Sequence, residues 1–100
     1  MSTYRRRRYL VAYDICDDGR LRRVHQTVKS YGRSLQYSVF VCDLSASEKI
    51  SLRWELEEVI HPTIDRVMFV DLGEPDGQGV DSFEFIGQTP NLPTGGAHIV

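Results

Sequence analysis

Cysteine is scarce in this chain: Cys16 and Cys42 are the only two among 100 residues. Two thiols make no disulfide framework and suit a reducing compartment. Histidine is equally sparse, with His25, His61 and His98 standing singly. A zinc site needs four ligands at close spacing, so zinc is discarded. Long apolar runs are missing too. The first, Tyr9 to Tyr13, is flanked by Arg8 and Asp14 and is far short of the roughly 20 residues that cross a bilayer. Nothing resembles a signal peptide. The expectation is a cytoplasmic protein with no membrane partner. There is no internal repeat, and the only biased tract is Arg5-Arg6-Arg7-Arg8.

What is present fits one soluble globular domain. Hydrophobic residues make up 41% and charged residues 26%, and a chain this long supports a single modest core. The net charge of −2 hides a polarity. Residues 1–33 hold nine Lys and Arg against three Asp, a balance of +6; residues 34–100 hold three basic residues against eleven acidic, a balance of −8. A basic third of this kind can form a nucleic-acid face despite an acidic total.

The pattern predicts a strand over 8–13. Asp17 or Asp18 then offers an N-cap. Leu21, Val24, Val28 and Tyr31 follow at helical spacing on one face, and Gly32 is expected to end the helix at a C′ position needing positive φ. A single alternating strand is predicted over 35–42, with Phe40 and Cys42 on one face and Val39 and Val41 on the other. Ser45-Ala46-Ser47-Glu48 reads as a capping box. It opens a helix with Leu52, Leu56, Val59 and Ile60 inward, which stops at His61-Pro62. Strands over 66–72 and 83–86 complete the set, the second after a glycine-rich loop over 73–81. The fold class that follows is α+β: a ferredoxin-like βαββαβ-type sandwich, an antiparallel sheet with two helices on one face. The domain is read as 1–87, with 88–100 a tail that adds an edge strand to a partner or stays unstructured.

Asp14 is the residue with the most chemistry. It lies where an apolar strand gives way to a loop and an arginine-rich helix. A carboxylate there can hold a divalent metal and face a phosphate, but Mg²⁺ binds through one or two carboxylates, and a single chain offers one. A two-fold dimer would supply the second. The bland alternative is that Asp14 hydrogen-bonds backbone N–H groups of its own loop.

Two segments carry a family resemblance. One is Tyr13-Asp14-Ile15 followed by Asp17-Asp18 and the arginines. The other is Gly32 followed by Gln36-Tyr37-Ser38-Val39-Phe40. At this spacing the chain resembles the CRISPR-associated protein two family, small metal-dependent nucleases of the CRISPR adaptation module, over residues 8–87. It departs from the family pattern in having Arg33 directly after Gly32 and Val41 after the S-V-F.

The resemblance implies a homodimer with Asp14 as catalytic residue and metal ligand, paired across the interface around Mg²⁺ or Mn²⁺. It implies cleavage of RNA or double-stranded DNA, and spacer acquisition with the CRISPR integrase. It also assigns Arg20, Arg23, Arg33 and Phe40 to the nucleic-acid face. A non-catalytic dimeric scaffold bridging integrase dimers on DNA is the competing reading. A small-ligand regulatory domain is a weaker third. Phe40 has a structural reading as well, packed under a helix. Asp17 and Asp18 read as caps and His25 as a solvated helix residue. Ser38 lacks a nearby base and is rejected as a nucleophile. Arg5 to Arg8 are expected to be exposed, with two readings: contact with nucleic-acid phosphates, or a frayed, solvated terminus that touches nothing.

Overall fold

β1 (Arg7–Asp14) sends alternate side chains to opposite faces, and the two faces meet different surroundings. Tyr9, Val11 and Tyr13 are buried on one side, while Leu10 and Ala12 on the other are half-buried. The chain continues through α1 (Asp18–Lys29), β2 (Arg33–Gln36), β3 (Val39–Leu44), α2 (Ala46–Val59) and β4 (Arg66–Gly73). The computed structural model describes residues 5–75 and 83–90. The sheet is antiparallel in the order β2-β3-β1-β4. This is the expected ferredoxin-like βαββαβ sandwich.

Register decides which residues form the core. Val11 stands opposite Phe40, and Tyr9 opposite Cys42, so these four share a face. Val24 and Val28 of α1 and Leu52 and Leu56 of α2 pack on that same face. Burying side chains of this size contributes roughly 1.5–3 kcal/mol each. Among the described residues no helix lies on the opposite face. There Leu10 and Ala12 stand beside Val41 and Val39 on one side and Val70 and Met68 on the other. Met68 is 49% exposed and Val70 38%.

Both helix starts form as the side chains dictate. Asp17 caps α1 by accepting from the Arg20 N–H at 2.9 Å. At α2 the Ser45 hydroxyl accepts from the Glu48 N–H, and the Glu48 carboxylate accepts from the Ser45 N–H.

Three expectations are corrected. Residues 35–42 are not one strand: Tyr37 and Ser38 form a turn that divides β2 from β3. The alternation runs unbroken through that turn, so only tertiary contact reveals it. The Ser38 carbonyl accepts from the Tyr13 N–H at 3.1 Å. Second, Gly32 does not have positive φ; among the described residues only Gly73 and Gly87 do. Gly32 is required for space, since a Cβ there would collide with the Val41 carbonyl oxygen and the Cys42 sulfur. Third, residues 83–86 form no strand. The Phe83 and Phe85 rings stack on each other with centroids 6.3 Å apart, and no sheet edge engages their backbone. The 73–81 loop lies partly, and the Ala97–Val100 tail wholly, outside the described residues.

Candidate functional site

β1 carries Asp14 to the end of the sheet, on the face opposite the helices. Its ladder partner is Arg66, the first residue of β4. Asp14 is exposed, and among the described residues its carboxylate takes no hydrogen bond or ion pair. The turn-capping reading of Asp14 therefore has no support. Ala12, Tyr13, Asp14, Arg66 and Met68 line a shallow depression here of about 190 Å³.

The loop after Asp14 is fastened to the α2–β4 connection by Asp65. Its Oδ1 accepts from the Cys16 N–H at 3.0 Å and from Arg20 Nη2 at 3.2 Å. Its Oδ2 accepts from Arg20 Nε at 2.6 Å and from the His61 N–H at 2.8 Å. The Arg20 guanidinium, followed by the two backbone N–H groups, holds the Asp65 carboxyl well below the usual carboxylate range, against the opposing effect of desolvation. Nothing in sequence marked Asp65, which is an isolated acid ahead of a strand.

The four residues assigned to a nucleic-acid face separate here. Arg20 is committed to Asp65, so its guanidinium is a structural tie. Phe40 is 1% exposed. It packs beside Tyr13, ring centroids 6.2 Å apart, and edge-on to His25 at 5.3 Å. A buried ring offers no face to a base, and Phe40 is a core residue. Arg23 and Arg33 are exposed, with no ion pair among the described residues. Arg33 lies beside His25, Lys29 and Ser34 around one open cleft. Arg23 and Arg33, with Arg22 and Lys29 as additions, form the free cationic surface on α1 and the start of β2.

Two expectations about neighbouring residues also change. His25 is not simply solvated: its Nδ1 lies 2.8 Å from the Tyr13 hydroxyl and its ring stacks near Tyr37. Burial, then the neighbouring Tyr37 phenol, pushes the Tyr13 hydroxyl up to about 12. The arginine run is not a free polycation either. Arg5 pairs with Glu74, Arg6 with Glu48, Arg7 with Asp71 and Arg8 with Asp43.

A carboxylate oxygen is the hard donor that Mg²⁺ or Mn²⁺ takes, and Asp14 offers two with no competitor among the described residues. Among the described residues no group of three His, Cys, Asp or Glu side chains is close enough to hold a metal. Among the described residues, one chain therefore offers a single uncommitted carboxylate at this end of the sheet.

The family model described as CRISPR associated protein Cas2 matches residues 7–78. The CRISPR-associated endoribonuclease Cas2 1 of Rhodospirillum rubrum is 45% identical over 65 residues, which are 65% of this chain and 64% of that protein. The match thus spans just under two thirds of that relative's length. The CRISPR-associated endoribonuclease Cas2 3 of Synechocystis is 33% identical over 92 residues, 92% of this chain and 97% of the relative. Among solved structures, the hypothetical protein TT1823 from Thermus thermophilus superposes with a TM-score of 0.73 at 30% identity, covering 85% of this chain and 95% of its own. Streptococcus pyogenes Cas2 at pH 6.5 gives 0.71 at 28% identity, covering 80% and 99%.

Proposed function

Since this chain belongs to the CRISPR-associated Cas2 family, we propose that it is a metal-dependent endonuclease acting as a homodimer, with Asp14 of each subunit at a shared site. Its substrates are phosphodiester bonds in RNA or double-stranded DNA, and its setting is spacer acquisition beside the CRISPR integrase. The endoribonuclease names of its relatives support the activity. The observation that carries the site is Asp14 itself: an exposed strand-end carboxylate that, among the described residues, is uncommitted and lies on a sheet face no helix covers.

A bound Mg²⁺ supplies charge neutralisation at the phosphoryl oxygens and an acidified water. The chain's own residues supply the rest. The two Asp14 carboxylates would hold the cation, and the apolar face around Ala12 and Met68 would bring the subunits together. Arg23 and Arg33 grip flanking phosphates through paired N–H groups.

Wild type and Asp14→Asn, each checked for dimer mass, are incubated with single-stranded RNA and with double-stranded DNA. Cleavage by wild type that is lost with Asn and with EDTA is the expected result. Equal cleavage by both overturns the assignment of Asp14. Absence of cleavage in both, with DNA binding retained, replaces the nuclease with the dimeric scaffold. Among the described residues no helix is long and apolar enough to cross a membrane.

A further inference from the structure

We infer that Asp65 is a positioning residue for the Asp14 carboxylate, an inference that rests on the metal-dependent reading above. The argument begins with a closed loop of contacts. Asp14 leads through Ile15 to Cys16, whose N–H donates to Asp65 at 3.0 Å. Asp65 precedes Arg66, and Arg66 is the ladder partner of Asp14. The backbone on both sides of the Asp14 Cα is thereby tied into one small ring, and Asp65 closes it.

The tie is built to be stiff. The Asp65 side chain is fully buried, and its two oxygens share four donors. Arg20 reaches it from the first turn of α1, so the helix start and the loop move as one unit. The Cys16 Sγ adds a second strut, donating to the Ile64 carbonyl at 3.3 Å. A carboxylate shared across a two-fold axis needs this stiffness. Mg²⁺ is exacting in ligand distance, about 2.0–2.1 Å, and any displacement of one Asp14 would be repeated at the other by the symmetry. Residues that hold such a group from outside the site normally govern its effectiveness.

The substitution Asp65→Asn tests this, because an amide keeps one acceptor and turns the other into a donor. Each Asp65 oxygen accepts from Arg20 and from one backbone N–H, so that new donor would confront both, whichever way the amide turns. Three readouts are taken on wild type and variant: amide exchange, Mn²⁺ line broadening around Asp14, and cleavage with substrate and metal varied separately. In the variant, exchange should quicken at Cys16 and His61 while Val11 stays protected. The cleavage rate at saturating substrate should fall about tenfold or more, the KM should hold, and the metal needed for half-maximal rate should rise about tenfold, the scale expected when a ligand-supporting contact is lost. Excess metal should restore part of the rate, which a merely structural defect would not allow.

A wild-type rate and metal requirement despite faster exchange at Cys16 would overturn the inference. If Asp65→Asn does not fold, Arg20→Lys decides: a raised metal requirement supports the clamp and an unchanged one overturns it. If wild type itself does not cleave, the nuclease reading fails separately. The broadening then settles the clamp, since weaker broadening in the variant supports it and equal or absent broadening in both overturns it.

Discussion

The Tyr13 hydroxyl lies 2.8 Å from Nδ1 of His25 and 3.4 Å from the Tyr37 carbonyl oxygen. One phenol thus joins β1 to α1 and to the β2–β3 turn, on the sheet face opposite Asp14. Tyr13→Phe removes the junction and leaves His25 without that partner. The expected loss is about 1 kcal/mol in chemical denaturation, with Asp14-dependent cleavage retained.

The same phenol is one of three groups that make stability fall at alkaline pH. Tyr13 and Tyr31 are each pushed up to about 12, Tyr13 mainly by burial and Tyr31 mainly by its hydrogen bond to Glu55. Burial likewise raises the Cys42 thiol to about 12. Each group's folded value lies above its unfolded one, so the neutral form favours the fold. That contribution is complete below the unfolded values, near 10 for tyrosine and about 8.5 for cysteine. It is lost as pH rises toward 12. Melting temperature should therefore fall progressively across that window, and Tyr13→Phe should flatten part of the fall.

Gly32→Ala should be among the most damaging single changes in the chain. The added methyl meets backbone at Val41 and Cys42, which lie in the centre of the sheet and cannot swing aside. Overpacking of this type costs about 1–3 kcal/mol or more. Circular dichroism melts would register it, and an unchanged melting temperature would refute the close approach.

Arginines in this chain divide by what holds them. Arg6 is gripped by both oxygens of Glu48, at 3.0 and 2.8 Å, whereas Arg23 and Arg33 have no carboxylate partner among the described residues. Arg23→Ala and Arg33→Ala should each lower the salt-dependence slope of nucleic-acid binding by about 1. Arg6→Ala should leave the slope unchanged and act on stability instead. Filter binding at several salt concentrations separates the two classes.

Met68→Glu places a carboxylate on the uncovered sheet face beside Ala12. If that face joins two copies, the variant should weaken the dimer roughly a hundredfold, an effect of about 3 kcal/mol. Sedimentation should then show the 11.5 kDa monomer with its secondary structure intact. A persisting dimer would move the interface elsewhere and separate the two Asp14 residues.

Both helices, their N-caps and the strands β1 and β4 were legible because each depends on neighbours within a few positions. Asp17, the Ser45–Glu48 box and the Val24–Val28 stripe are local signals. The Tyr37–Ser38 turn was not legible, because it has no glycine or asparagine and is held from outside by Tyr13. Asp14 stood out as a candidate because it is a strand-end carboxylate ahead of an arginine-rich helix, and the family resemblance gave it its proposed role; the structure adds that it is exposed. Arg20 was misread because its partner stands 45 positions away. Phe40 was left between two readings, since strand alternation gives a face but not what covers it. Burial by α1 and Tyr13 decides it.

Of the six ion pairs among the described residues, five join the basic first third of the chain to the acidic remainder. The consequence concerns the order of synthesis. Arg5 to Arg8 are synthesised before all four of their partners, Asp43, Glu48, Asp71 and Glu74, and those of Arg7 and Arg5 follow only 64 and 69 positions later. Before the sheet closes none of these ion pairs has formed, and the run attracts any polyphosphate nearby. Closing the sheet withdraws it, so folding itself turns an indiscriminate polyelectrolyte into a protein whose remaining free cations lie chiefly on α1 and β2. A peptide of residues 1–15 should accordingly bind RNA with a salt slope that these four arginines do not contribute to the folded chain.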